Sequence, residues 1–420
     1  MFSGGRGTES LTEAFVSHPQ IDLSLLVNAY DDGLSTGRLR RFIPGLLGPS
    51  DFRKNIAHLI PAFDEAGRSI KRLLEYRFPD TLKVESANQI LSELYNTEFT
   101  RDNSGLDPQF WKDLESVSYK QARYIETQVT SFLTYCLQEA NKGRVFEFGD
   151  CSFGNLLFAG VFLRLGYDFN RTIADLEREF KPAGRVVNVT QGENYVLVGL
   201  KSDGTFLCDE AEIVSPQNSQ VLEEIYLLEN YLTENEIQKL NDLDNLKSKK
   251  NFFKNKIRKP IISVEAQSVL ETADLIIFGP GTQHSSLFPS YLCEGVGEAI
   301  STNKTAEKVF VANTRKDYEI QGETMSSLCS KLHYYLNRKG EINNPPESYV
   351  TRYFFQEPTG LQKKGKDYLE LESYFAFPSR QTIITDWESD SGKHSGNRVL
   401  DELTAIVNER AKISLKTFSY

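Results

Sequence analysis

Leu23-Ser-Leu-Leu-Val27, followed at once by Asn28-Ala-Tyr-Asp-Asp-Gly-Leu-Ser-Thr-Gly-Arg-Leu-Arg-Arg41, decides the fold of this chain. The short apolar run reads as a strand buried on both faces. Two adjacent carboxylates, a hydroxyl-rich turn and a guanidinium cluster come next. An open α/β sheet presents ligands bearing phosphate and hydroxyl groups at such a strand end. Asp31 and Asp32 can hold a magnesium ion or a ribose. Arg38, Arg40, Arg41 and, beyond Gly48-Pro-Ser-Asp-Phe, Arg53 can hold phosphates by bidentate hydrogen bonds. Alone, the stretch would read as a solvated charged loop. Its position between two other glycine-rich elements turns the reading toward a site.

The first of these elements, Ser3-Gly-Gly-Arg-Gly-Thr8, leads into Leu11, Ala14 and Phe15 at the spacing of an amphipathic helix. Only Met1 and Phe2 precede it, whereas a strand usually takes about five residues. The first strand is therefore expected to be a stub, or to be incomplete at the given start. Backbone N–H groups in such a loop can approach a phosphate at a helix N-terminus. The loop lacks the GxGxxG spacing of dinucleotide folds and the Lys-Ser/Thr ending of a Walker A loop, so it fits a phosphate loop and a plain tight turn equally. The second element, Gly279-Pro-Gly-Thr-Gln-His-Ser-Ser286, follows the apolar run Ala273–Phe278 and is expected to face the first loop across a topological switch point. Thr282, Ser285 and Ser286 can hydrogen-bond a substrate, while His284 reads as a base or ligand or, more readily, as an exposed loop histidine. Gly154-Asn155, opening the apolar run Leu156–Leu165, fits either a carboxamide contact to a ligand or a helix-start turn.

With 420 residues, 27 Phe and 19 Tyr, the chain has ample material for a large core. A net charge of −10 argues against nucleic-acid binding, which normally leaves a basic footprint. Five widely spaced cysteines without a CxxC pair fit reduced thiols in a cytoplasmic protein, with neither a disulfide framework nor a zinc site. No apolar run is long enough to span a membrane. The alternation of strands and helices predicts an α/β fold: a Rossmann-like, mostly parallel sheet with helices on both faces, plus helical insertions. Residues 1–83 and 144–330 are read as the core, 84–143 as a helical insertion, 218–259 as a charged helical insertion, and 331–420 as a C-terminal α/β extension packing on the core. The lysine-rich run Lys247–Lys259 reads as a solvated face.

These segments, in their order, resemble the 2-phospho-L-lactate transferase (CofD) family, including its YvcK-type branch. The resemblance rests on Ser3–Thr8, Asp31-Asp-Gly, Ser35-Thr-Gly-Arg-Leu-Arg40, Gly48-Pro-Ser-Asp-Phe-Arg-Lys-Asn55, Leu74–Phe78, Ser152–Leu157, Ala273–Thr282 and Val309–Asn313. It implies a Rossmann-like core for nucleotide-linked substrates. In the transferase members a nucleotide diphosphate-linked phospholactate donates to a deazaflavin alcohol with magnesium, releasing a nucleoside monophosphate. YvcK-type members look like nucleotide-sugar-binding regulators without catalysis, and the Gly-Arg-Leu-Arg and Gly-Pro-Ser-Asp-Phe-Arg wording lies closer to them. The expected protein is thus a homodimeric transferase on a nucleotide diphosphate-linked small molecule, or a sensor with the same pocket. Asp31 and Asp32 would be catalytic and bind Mg2+. Gly4, Gly5, Gly7, Thr8, Ser35, Arg38, Asp51, Arg53, Asn55, Gly154, Asn155, Gly279, Gly281, Thr282 and Ser286 would bind substrate and phosphate.

Overall fold

The computed structural model describes residues 1–96, 104–216, 220–357, 368–370 and 382–417. Its strands are β1 (Ser24–Val27), β2 (Arg185–Asn188), β3 (Val196–Lys201), β4 (Phe206–Leu207), β5 (Leu222–Leu228), β6 (Leu275–Phe278), β7 (Glu307–Val311), β8 (Arg352–Gln356) and β9 (Thr382–Thr385). The chain forms two compact units. One comprises Met1–Asn28, Val189–Gln191 and Tyr195–Tyr420, and the other Ala29–Asn188 and Gly192–Asn194. The single core expected over 1–83 and 144–330 is thus divided.

In the first unit β6, β7, β8 and β9 pair in that order, all parallel. Met1–Ser3 extends this sheet as a stub strand, for Phe2 bridges Leu26 of β1 and Phe278 of β6 in parallel. Leu26 N–H donates to the Met1 carbonyl (2.9 Å), Ser3 N–H to that of Leu26 (3.0 Å) and Phe2 N–H to that of Ile277 (2.8 Å). So short a strand is held by its one large side chain. Phe2 is fully buried, stacked on Phe278 (centroids 5.5 Å apart) and edge-on to Tyr291 (5.1 Å). The spatial order is therefore β1, stub, β6, β7, β8, β9. From the stub the chain steps to β1 on one side, and β6 lies on the other, so stub and β6 flank the topological switch point. Helix α1 (Glu9–Val16) follows the first glycine loop and buries Leu11, Ala14 and Phe15. Because β8 and β9 belong to this sheet, the stretch from 331 onward supplies two of its strands rather than only packing on it; the aromatic-rich stretch 371–381 lies outside the described residues.

A second, antiparallel sheet of order β4-β3-β5 lies in the same unit. Here the helical reading of 218–259 is corrected: Leu222-Glu-Glu-Ile-Tyr-Leu-Leu228 is strand β5, its last five side chains all buried. Both faces of β5 are covered, so it shows no alternation that could be told from a buried helix. Helix is confined to Glu234–Asn241 and Leu246–Lys254, which set Leu240 and Phe253 against Val196, Val198 and Tyr226. The lysine-rich run faces outward and pairs with carboxylates, Lys250 with Glu223 and Lys259 with Glu341.

The second unit contains β2 and helices α2 (Leu34–Phe42), α3 (Ser50–Leu59), α4 (Glu65–Glu75), α5 (Val84–Ser92), α6 (Pro108–Ser116), α7 (Tyr119–Ala140), α8 (Phe153–Arg164) and α9 (Phe169–Phe180). Helix α8 is apolar on all sides and buried from Phe153 to Phe162, as expected for a core helix. The insertion expected over 84–143 is helical in its described part, α7 starting at a Ser118/Gln121 capping box. No described helix is long and apolar enough to cross a membrane.

Candidate functional site

The candidate residues divide between the two units. In the first, both glycine loops leave the carboxyl ends of neighbouring strands, the stub and β6, and meet. A Cβ on Gly7 would stand 2.4 Å from Gly281 Cα and 2.5 Å from the Pro280 carbonyl oxygen, so only glycine permits this contact. Gly281 has φ 139°, a conformation L side chains rarely adopt. Gly4 lies against Ser286, and Gly279 against Thr8. The first loop is closed internally: Ser3 Oγ and Thr8 Oγ1 are 2.5 Å apart, and Ser3 Oγ accepts from Gly5 N–H at 3.1 Å. Asn28, at the end of β1, donates its side-chain amide to the Ser286 carbonyl. Thr282 Oγ1 donates to Ser286 Oγ at 2.9 Å. Gly4, Gly5, Gly7, Thr8, Gly279, Gly281, Thr282 and Ser286 thus form one cluster.

Side chains that the sequence reading did not single out brace the second loop. Asn313, just past β7, accepts from Gly281 N–H (3.2 Å) and donates to the Gly281 carbonyl (2.9 Å). Its amide also contacts Asp317 at 3.3 Å. Glu319 takes up three donors at the start of a single π-helical turn, Gln283–Leu287: His284 N–H (2.8 Å), Ser285 N–H (3.0 Å) and Ser285 Oγ–H (2.5 Å). Burial, and then the neighbouring Asp317 charge, raise the Glu319 carboxyl well above the usual carboxylate range. His284 is fully buried rather than exposed, edge-on to Phe288 at 5.0 Å. Desolvation, followed by the Lys331 ammonium, holds its pKa well below the ordinary value, so it stands neutral behind the loop.

In the second unit the Asp31–Asp32 turn is drawn in by Gly48, whose N–H donates to the Ala29 carbonyl at 2.9 Å. Asp32 is buried with Arg40, whose Nη1 lies 3.4 Å from the carboxylate and 3.2 Å from the Asp31 carbonyl. Arg41 approaches the other Asp32 oxygen at 3.8 Å. These guanidinium groups set positive charge beside the Asp32 carboxylate. Asp31 Oδ2, by contrast, is buried without a partner among the described residues. Arg38, expected to bind phosphate, donates to the Gly149 carbonyl; the guanidinium beside Asp32 is that of Arg40. Ser35 is buried on α2.

Helix α3 carries the remaining polar groups. Ser50 Oγ joins Thr36 Oγ1 (2.5 Å) to the Asn155 amide (3.0 Å). Asp51 pairs with Lys54 at 2.8 Å, and Asn55 donates back to the Asp51 carbonyl. Arg53 is only 4% exposed, and its Nε reaches Asn155 Oδ1 at a weak 3.4 Å. Gly154 lets it pass: a Cβ there would meet its side chain at 2.9 Å. Among the described residues no carboxylate lies within ion-pair distance of this guanidinium. Burial, then Arg77, lowers its pKa from the ordinary guanidinium range to about 10, only partly opposed at longer range by Glu75, Asp31 and Asp51. A buried cation is ordinarily paired. Arg53 is therefore a buried guanidinium that has only a weak hydrogen bond and no carboxylate partner among the described residues.

The family model described as 2-phospho-L-lactate transferase CofD matches residues 1–356. The chain belongs to the CofD family. Within it, the chain is 22% identical over 377 residues to a putative gluconeogenesis factor of Thermotoga maritima, covering 88% of this chain and 84% of that protein. The gluconeogenesis factor of Bacillus subtilis is 22% identical over 419 residues, 97% of this chain and 98% of that protein. Among solved structures, protein BH3568 of Bacillus halodurans superposes with a TM-score of 0.60 at 19% identity, over 96% of this chain and 97% of that one. A second structure of that protein, described as a UPF0052 family member, gives the same TM-score at 18% identity. The mixed α/β architecture is that of these UPF0052 structures, and the relatives' names place this CofD chain near the gluconeogenesis-factor type.

Proposed function

We propose that this CofD-family chain binds a nucleotide diphosphate-linked small molecule and acts as a regulator that reads it. The carrying observation is Arg53, a buried guanidinium with no carboxylate in ion-pair range among the described residues, on the helix that also presents Ser50 toward Asn155. An oxyanion there would supply the missing charge and bidentate acceptors. Taken by itself, the glycine cluster of the first unit is a further candidate for anion binding, with backbone exposed at Arg6 and Gly7 ahead of α1. Magnesium fits Asp31 better than Asp32, since Asp31 Oδ2 is buried and unpartnered whereas Arg40 and Arg41 flank the Asp32 carboxylate. Mg2+ usually takes one or two carboxylates with substrate phosphates and water, so it needs no larger acidic cluster. When bound it would neutralise diphosphate charge.

Support for a regulator comes from Asp32, whose ion pairing leaves it poorly suited as a base, and from relatives named gluconeogenesis factors rather than transferases. The transferase reading keeps one specific support: the free Asp31 oxygen, a group that could orient an acceptor hydroxyl. Calorimetry with UDP- and GDP-linked sugars, with and without magnesium, tests the binding claim. Measuring nucleoside monophosphate release in the same mixtures separates the readings. Binding without release supports the regulator, release the transferase, and no binding to any such ligand removes both.

A further inference from the structure

In the second unit the first turns of α2, α3 and α8 meet. Thr36, the third residue of α2, sets its hydroxyl oxygen 2.5 Å from that of Ser50, the first residue of α3. Asn155, the third residue of α8, donates its amide to the same Ser50 oxygen at 3.0 Å. All three side chains are buried. None of these helices is capped by the side chain of its N-cap residue. Gly33 and Pro49 have no group to offer, and the Ser152 hydroxyl turns instead to the Leu74 carbonyl at 3.1 Å. Each N-terminus therefore keeps a partial positive charge of roughly half an elementary charge. The buried Arg53 guanidinium joins them, its stem against Gly154 in the first turn of α8. Of the neighbouring carboxylates, Asp51 pairs with Lys54 at 2.8 Å and Asp32 is flanked by Arg40 and Arg41.

A proton count shows what this junction can still give. The Thr36–Ser50 contact uses one of the two hydroxyl protons, whichever residue donates it, and Asn155 fills a lone pair of Ser50. The other hydroxyl proton has no acceptor among the described residues. The same holds for both Nη groups of Arg53, whose Nε alone has an acceptor, Asn155 Oδ1 at 3.4 Å. Buried donors without acceptors cost free energy that an acceptor from outside the chain would recover. A carboxylate has two oxygens, and a bidentate guanidinium takes both. A phosphoryl group has a third, terminal or bridging, left for the hydroxyl and the helix ends.

We propose that the Thr36–Ser50 hydroxyl pair is the specificity element of the Arg53 site: it gives its spare proton to a third oxygen of a phosphoryl group that Arg53 grips by two, and so selects phosphate over carboxylate. The inference rests on the anion reading of Arg53 and adds the class of group received. Asn155 is the positioning residue of the pair, holding Ser50 with its amide nitrogen and Arg53 with its amide oxygen.

Calorimetry on the full chain at constant ionic strength, with inorganic phosphate as probe and acetate as planar control, tests this. The wild type should bind phosphate more tightly than acetate. Thr36→Val/Ser50→Ala removes both hydroxyls and keeps Arg53. It should weaken phosphate about tenfold, the size of one hydrogen bond to a charged group, and acetate far less. Thr36→Ser, which has a hydroxyl at both positions, should retain the preference for phosphate. Ser50→Cys keeps the volume but donates and accepts poorly, so it carries the expectation of the double variant should that protein lose cooperative melting. Failure of the wild type to bind phosphate, an equal loss for both anions, or a loss in Thr36→Ser as large as in the double variant would overturn the inference. Arg53→Met separates it from the reading beneath it. Phosphate binding sensitive to Arg53→Met but indifferent to the hydroxyls overturns the hydroxyl role alone, whereas indifference to Arg53→Met overturns both.

Discussion

Replacing Arg53 with methionine should stabilise the free protein while abolishing its response to nucleotide ligands. The fall of the guanidinium pKa from its ordinary value to about 10 corresponds, at about 1.4 kcal/mol per pH unit, to about 3 kcal/mol of disfavoured charge. The sign follows from linkage. With the folded value below the unfolded one, the cost is complete below about pH 10 and is relieved only as pH climbs from there toward the ordinary guanidinium value. At pH 7 the whole of it is present. Methionine matches the aliphatic stem and gives up one weak hydrogen bond to Asn155, worth about 1 kcal/mol. The net gain is about 2 kcal/mol, or about 4–8 °C in melting temperature for a unit of this size. Thermal unfolding followed by circular dichroism, without ligand and with a UDP-linked sugar, reads both effects. A melting temperature lowered by several degrees, with the ligand-induced shift intact, would refute the reasoning and make Arg53 a structural residue.

Other expectations can be checked on the same protein. Gly7→Ala drives a methyl group into the Gly281 backbone at 2.4 Å, so it should cost about 1–3 kcal/mol in denaturant unfolding; an unchanged midpoint would mean the loops are not in contact. Because the folded Glu319 carboxyl titrates above the ordinary 4.5, its contribution is complete below that pH and is lost as pH rises through the raised folded value. The wild-type melting temperature should accordingly fall over this interval and Glu319→Gln should flatten the fall; parallel curves would remove Glu319 from the account. Asp31→Asn should weaken the magnesium dependence of ligand binding about tenfold while leaving the unliganded melting temperature unchanged. Equal magnesium dependence in both proteins would place the ion elsewhere.

The parallel sheet was legible because its strands are short apolar runs that end at glycine or Asp-Asp turns, as Leu23–Val27 and Ala273–Phe278 do. Even the two-residue start could be read as a stub, although what holds it, the stacking of Phe2 on Phe278, is a contact between residues far apart in sequence. Strand β5 was hidden because burial of both its faces erases the two-residue period. The same physics concealed the site's supports. Asn313, Asp317 and Glu319 lie beyond β7 in a polar stretch that looks like any loop, and only the fold brings them beneath Gly281 and Ser285. In the arginine cluster, composition showed that guanidinium groups would gather after Asp32, but not which faced it. Helix geometry turns Arg40 to Asp32 and Arg38 to Gly149.

The central claim is that an anionic nucleotide ligand completes the charge that Arg53 lacks. Its most direct measurement is the calorimetric affinity of GDP- and UDP-linked sugars for the wild-type and Arg53→Met proteins side by side. The account predicts saturable, magnesium-strengthened binding to the wild type and a loss of at least about tenfold in the variant, as removal of a charge-assisted bidentate contact requires. Equal affinities in the two proteins, or no heat with any ligand, would contradict it.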